Sequence, residues 1–192
     1  AAGIGSGAKA ATWLNVLAAE LNDPLASWLA STSKPSKKKY SDVTWLRTSE
    51  GLPLKANHKN KKPHALAQSK IFKDTGIVNM NRDILNSKEN LMISLRSAPW
   101  GGFGHNLSNH NAFTIVHKGE PLFVPFRFRH GGGAHTFKCY RHTRGHNSVL
   151  VNGKGQPISS EAYGWIPRFL DGKNISYTSG DASMAYSGTP SP

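Results

Sequence analysis

The chain of 192 residues is long enough for one domain, or for a small domain with an appendage, and has no run of roughly 18 consecutive apolar residues to span a membrane. Its 24 Lys and Arg against 11 Asp and Glu leave a net charge of +13. That field favours polyanions, nucleic acid or acidic polysaccharide, without choosing between them.

The chain opens Ala1-Ala2-Gly3, with neither a starting Met nor a signal-peptide pattern, so the native N-terminus is expected upstream. From about Ala8 to Asn22, Trp13, Leu14, Leu17 and Leu21 recur at helical spacing with alanines between them, which predicts an amphipathic helix. Asp23-Pro24 supplies a cap and an N1 proline for a second short helix through Trp28 and Leu29. Two basic runs follow, Lys34, Lys37, Lys38 and Lys39, then Lys55, His58, Lys59, Lys61, Lys62 and His64. Set among Pro, Ser and Asn, they read as a solvated linker, with guidance of a polyanion as the alternative.

After about Lys70 the periodicity becomes that of strands. Ile71-Phe72 and Gly76 to Met80 flank a turn at Asp74-Thr75-Gly76, and Leu91 to Arg96 alternates apolar and polar residues. Asn111 to His117 and Leu122 to Arg129 enclose Lys118-Gly119-Glu120-Pro121, a hairpin signature. Period two places Phe123, Pro125, Arg127 and Arg129 on one face of the second strand, a basic strip suited to carboxylates. Pro125 suggests an edge position or a bulge. Ser148 to Val151 is a further apolar strand, closed by a turn at Asn152-Gly153-Lys154-Gly155. Strands at this spacing argue for an antiparallel sandwich. Cys139 is the only cysteine, excluding an intrachain disulfide, and reads as a small buried hydrophobe.

Two polar clusters stand out. His105-Asn106-Leu107-Ser108-Asn109-His110-Asn111 gathers two imidazoles and three amides behind the turn Trp100-Gly101-Gly102-Phe103-Gly104. His142-Thr143-Arg144-Gly145-His146-Asn147 precedes the Ser148 strand. Together they read as one site assembled from two strand ends, with Arg96 on the polar side of its strand available to a carboxylate.

The run Ser94-Leu95-Arg96-Ser97-Ala98-Pro99-Trp100-Gly101-Gly102-Phe103-Gly104-His105, then Asn111-Ala112-Phe113, Gly119-Glu120-Pro121-Leu122 and His142 through Gln156, resembles the heparinase II/III-like polysaccharide lyases. The likeness continues through Glu161 to Leu170 and Gly180-Asp181-Ala182-Ser183, covering about Ile71 to Tyr186. It implies a mainly β chain, an antiparallel β-sandwich preceded by one or two helices from the end of an α/α toroid. Residues 1–31 would be toroid helices, 32–69 a basic linker and 70–192 a sandwich incomplete at its C-terminus, so that the chain is expected to be a fragment. The implied activity is β-elimination on uronate-containing polysaccharide, and the implied location periplasmic or extracellular.

β-Elimination must neutralise a uronate carboxylate so that the C5 proton becomes acidic, remove that proton, and protonate the leaving glycosidic oxygen. Arg, Asn and His serve the first task by donating hydrogen bonds, and His or Tyr the other two. The family's principal His and Tyr lie in the toroid, and the segment matching them is not in this chain. His105 matches a substrate-facing histidine of the family and is the catalytic or substrate-orienting candidate, against a turn histidine bonded to backbone. The substrate-binding candidates are Arg96, Asn111, Arg127, Arg144 and His146, with structural readings of Asn111 and His146 kept open. Tyr140, Tyr163 and Tyr177 are further candidate proton donors, and Trp100 and Trp165 candidate sugar-stacking rings.

Some members of that family hold zinc. The corresponding positions here are Leu107, Pro125 and His146, one ligand where zinc takes three or four from protein, so no family-type metal and no cofactor is expected. An alternative set, His130, His135 and His142, reads more simply as part of a glycine-rich loop. The expected partner is an acidic polysaccharide, with a non-catalytic carbohydrate-binding module as the competing reading. Nucleic acid is disfavoured, because the lysines cluster in loops and no strand carries an aromatic platform.

Overall fold

The computed structural model describes residues 14, 17–18, 21, 23–32, 66–101, 107–126 and 133–187. Two compact units, Ala1–Leu66 and Ala67–Pro192, divide the chain. Both basic runs lie outside the described residues.

In the first unit, Leu14, Leu17 and Ala18 are helical, and helix α1 spans Pro24–Thr32. Its start follows from local chemistry. The Asp23 carboxylate accepts from the backbone N–H of Leu25 at 2.8 Å and of Ala26 at 3.4 Å, satisfying two donors that have no partner within the helix. Pro24, lacking an N–H, sits where none is needed. Ala26 and Ala30, four residues apart, share the buried side with Ser27. The Ser31 and Thr32 hydroxyls donate to the carbonyls of Trp28 and Leu29 at 2.7 and 2.9 Å, occupying acceptors at the helix end.

The second unit is mainly β. Strands β1 (Ser69–Phe72), β2 (Ile77–Asn81), β3 (Leu91–Arg96), β4 (Ala112–His117) and β5 (Glu120–Phe123) form one antiparallel sheet in sequence order. Strands β6 (Trp165–Asp171) and β7 (Ser176–Asp181) form a second, two-stranded sheet. Directly opposed residues share a face, so the register aligns Ile71, Val78, Leu95 and Phe113 in one apolar row, with Met80, Ile93 and Ile115 in the next row on that face. Lys70, Asn79, Ser94 and Thr114 project from the opposite face, which explains why these strands alternate in sequence.

The small sheet packs on the apolar side of the large one. The Ser69 hydroxyl donates to the Ser176 hydroxyl at 3.0 Å, and the Ser97 hydroxyl to the Asp181 carbonyl at 3.0 Å. Gly180 brings β7 close, since a Cβ there would fall 3.3 Å from Leu95 and 2.3 Å from the Asn111 carboxamide oxygen. This is the layered antiparallel arrangement of a β-sandwich.

The β4–β5 hairpin turns through Lys118 and Gly119, with φ of 54° and 85°, the paired left-handed geometry that suits twisted antiparallel strands. Two expected strands differ from what is found. β5 ends at Phe123, and Leu122, Phe123, Val124 and Phe126 are all exposed, so no buried face extends the ladder toward Pro125, which has no N–H to contribute. Ser148 to Val151 is not a strand. Asn147 and Ser148 are already engaged by the start of β4, and Val151 pairs only with Lys154 across the Asn152-Gly153 turn.

Candidate functional site

The ends of β3 and β4, the segment Ser108–Asn111 and the turn Thr143–Gly145 converge. The Ser108 N–H donates to the Arg141 carbonyl at 3.0 Å, and the Phe113 N–H to the Asn147 carbonyl at 3.1 Å. The Asn147 carboxamide returns a bond to the Phe113 carbonyl at 3.0 Å. The two polar clusters that stand apart in sequence are thereby joined.

His110 is the centre of this junction, 2% exposed. Its Nδ1 accepts from the Ala98 N–H at 3.3 Å. Gln156 grips its backbone like a neighbouring strand, the carboxamide oxygen accepting from the His110 N–H at 2.8 Å and the carboxamide nitrogen donating to the His110 carbonyl at 2.9 Å. The same nitrogen donates to the Tyr186 hydroxyl at 2.9 Å, and the Ser148 hydroxyl donates to the His110 carbonyl at 2.7 Å. Burial, reinforced by the Arg96 charge and opposed by a hydrogen bond with the Ala162 backbone, lowers the His110 pKa to about 4. The ring is neutral at physiological pH and fixed as an acceptor toward Ala98.

Arg96 projects from the polar face of the large sheet and donates to the Asn109 carboxamide oxygen. It is half-buried, and burial lowers its pKa. Among the described residues it has no carboxylate partner. A partly desolvated guanidinium without a counter-charge is an anion site in electrostatic terms.

His146 is 6% exposed and lies within the field of Arg96. Its Nε2 is 3.1 Å from the Tyr140 carbonyl, and because a carbonyl only accepts, this nitrogen carries the proton. Nδ1 therefore presents a lone pair, buried and without a partner among the described residues. Burial lowers the His146 pKa, the Tyr140 hydrogen bond opposes that, and Arg96 and His142 add to it. Arg144 is exposed and folds back on its own turn, its backbone N–H and Nε donating to His142 Nδ1 at 3.1 and 3.3 Å. Burial and the Arg144 charge lower the His142 pKa.

Asn111 belongs to the other side of the junction. Its backbone is left-handed, φ 56°, a conformation asparagine tolerates, and its Nδ2 donates to the Gly180 carbonyl of β7 at 3.1 Å. Its Oδ1 is buried without a hydrogen-bond partner among the described residues. With Val149, Pro167, Gly180, Ala182 and Tyr186 it lines an open cleft of about 440 Å³.

Arg96 and His146 are thus brought together, Arg144 borders them through His142, and Asn111 faces β7. His105 and Arg127 lie outside the described residues. Sequence reasoning gave no role to His110, Asn109 or Gln156, although the first two stand in the His105–Asn111 cluster and Gln156 closes the family-like run from His142. Leu107 and Pro125 have no ligating side chain, so the donor set does not fit the zinc that some members of that family hold. Among the described residues no three His, Cys, Asp or Glu gather as a metal site, and no helix is long and apolar enough to cross a membrane.

The chain is similar to two solved heparinase III structures. One, with methylated lysines, aligns over 88% of this chain and 22% of its own length, at 14% identity and a TM-score of 0.59. The other aligns over 84% of this chain and 23% of its own, at 16% identity and a TM-score of 0.53. The fold is heparinase III-like, and this chain spans under a quarter of the length of either structure. No family model and no curated protein matches it.

Proposed function

We propose that this chain forms the β-sandwich side of the substrate cleft of a lyase that cleaves uronate-containing polysaccharide by β-elimination. The observation that carries the reading is Arg96, a half-buried guanidinium without an acidic partner among the described residues, flanked by two histidines. A uronate carboxylate is the counter-ion this geometry favours, because Arg96 neutralises it and so acidifies the adjacent C5 proton. His146 stays uncharged beside Arg96 and, bonded through Nε2 to the Tyr140 carbonyl, holds the wall next to the guanidinium. His105 is assigned the role of orienting substrate or exchanging a proton. Arg144 contributes charge at the rim, Arg127 is assigned to substrate binding as a further cation, and Asn111 ties β7 to the rear of the cleft. The heparinase III-like fold supports the same assignment.

On this reading residues 1–31 are the last helices of a toroid, 32–69 a linker and 70–192 the sandwich. The main acid and base stand elsewhere in the lyase, and the protein works in the periplasm or outside the cell. One observation favours a second reading, a carbohydrate-binding module without catalysis: His110, His142 and His146 each direct a ring nitrogen to backbone.

The two readings differ in product. A lyase converts alginate, heparan sulfate or a related uronan into an unsaturated uronate that absorbs in the ultraviolet. The longer polypeptide to which the family likeness assigns this chain is expected to generate that chromophore. Retention of polymer with no chromophore on any uronan would establish the binding module instead.

A further inference from the structure

A second cleft, away from the Arg96 junction, runs along β1 and β6. It has a volume of about 650 Å³ and is lined by Ile71, Lys73, Ile166, Pro167, Arg168, Phe169, Leu170 and Tyr177. Its opening follows from the sequence. The β6–β7 register shifts between Trp165 and Arg168, so Ile166 and Pro167 leave the ladder, and Pro167 has no N–H to restore it. Beyond the bulge, Leu170 pairs with Tyr177 and Arg168 with Ser179, which places Arg168, Leu170 and Tyr177 on the face of the small sheet opposite Gly180.

The lining has two characters. Ile71, Ile166 and Phe169 are half-buried, whereas Lys73, Arg168, Leu170 and Tyr177 are exposed, Tyr177 by 48%. An exposed aromatic ring in a cleft that also holds two cations is a poor solution for stability. It is a good one for a sugar acid, since the ring packs on the apolar C–H face of a pyranose while the cations meet its carboxylate or sulfate. Among the described residues no carboxylate lines this cleft.

Pro167 also lines the cleft that contains Asn111, where the Asp181 carboxylate stands as well. At the other end β6 leads into a polar hollow lined by Arg82, Lys173 and Asp171, whose carboxylate accepts from the Ser176 hydroxyl at 3.2 Å. One strand therefore borders three consecutive openings, and cations line two of them.

We infer that the β1–β6 cleft is a second binding site for acidic sugar units, separate from Arg96, that takes units of the same polysaccharide further along the polymer. This rests on the proposed function and adds to it a binding site for residues of the polymer that do not react. Such a subsite draws affinity from chain length, because each added unit binds intramolecularly once the first is seated.

The test is the affinity of a length series of unsulfated alginate oligomers, from disaccharide upward, for the full chain by calorimetry at fixed salt. Three double variants are compared with the native protein: Lys73→Glu with Arg168→Glu in the cleft, Tyr177→Ala with Leu170→Ser beside it, and Lys88→Glu with Lys154→Glu elsewhere. Native affinity is expected to rise with length. The first two are expected to weaken long oligomers by about tenfold and leave the shortest binder unchanged, and the third to retain the length dependence. An undiminished length dependence in both cleft variants would overturn the subsite, as would an equal loss in the Lys88 and Lys154 control, which would assign the effect to overall charge. Failure of every oligomer to bind the native chain would instead overturn the proposed function, and the subsite with it.

Discussion

The chemistry of the junction is decided by protonation. His110 ionises near 6.5 in an unfolded chain but only near pH 4 when folded, so below about pH 6.5 the unfolded state takes up a proton that the native state refuses. Stability attached to His110 is therefore complete above pH 6.5, declines as pH falls, and is fully lost below about 4. His146, shifted in the same direction, adds to the slope. Melting temperatures of the native chain are expected to fall steadily from pH 7 to 4.5, and those of His110→Gln to show a shallower dependence. Gln156→Ala, which strips both hydrogen bonds from the buried His110 backbone, is expected to cost about 2–4 kcal/mol in urea unfolding. His110 stood in plain view within a quoted motif, but its role was not legible. Its partners Ala98, Gln156 and Ala162 are 12, 46 and 52 residues away, and only folding reveals that the ring is a strut.

At the scale of elements, local rules were reliable where the partner is a near neighbour. Asp23-Pro24 starts α1 as its chemistry requires, and Asp23→Ala is expected to cost about 1 kcal/mol of stability, or less where the helix end frays, read from thermal melting. The Lys118-Gly119 turn was equally legible, because two successive left-handed residues are what a tight hairpin demands. Elements whose fate depends on distant surfaces were not. Leu122 to Phe128 alternates well enough for a strand, yet the ladder stops at Phe123, where the exposed side chains find no layer to cover them. Val149, Leu150 and Val151 are exposed in the same way and form no strand. The close approach of β7 to the large sheet was also invisible, since it depends on what lies opposite Gly180. A methyl group there would meet the Asn111 carboxamide, and Gly180→Ala is expected to destabilise by about 1–3 kcal/mol, with Asn111→Ala in the same chain recovering part of the loss.

For the molecule as a whole, the layered antiparallel β architecture was readable from strand spacing, and its heparinase-like character from the motifs that run from Ser94 to Ser183. The charge was equally plain but said less, because +13 attracts any polyanion. What distinguishes the account from general electrostatics is one location, Arg96, held by Asn109 and bordered by two neutral imidazoles. The most direct measurement compares alginate oligomers with the same oligomers reduced at their carboxylates, each titrated against the native chain and Arg96→Gln at matched salt, with circular dichroism confirming that the variant is folded. The account predicts that the native chain prefers the acidic oligomer and that Arg96→Gln weakens it by at least about tenfold while leaving the neutral one unchanged. Equal binding of acidic and reduced oligomers by the native chain, or an Arg96→Gln affinity matching the native one, would contradict it.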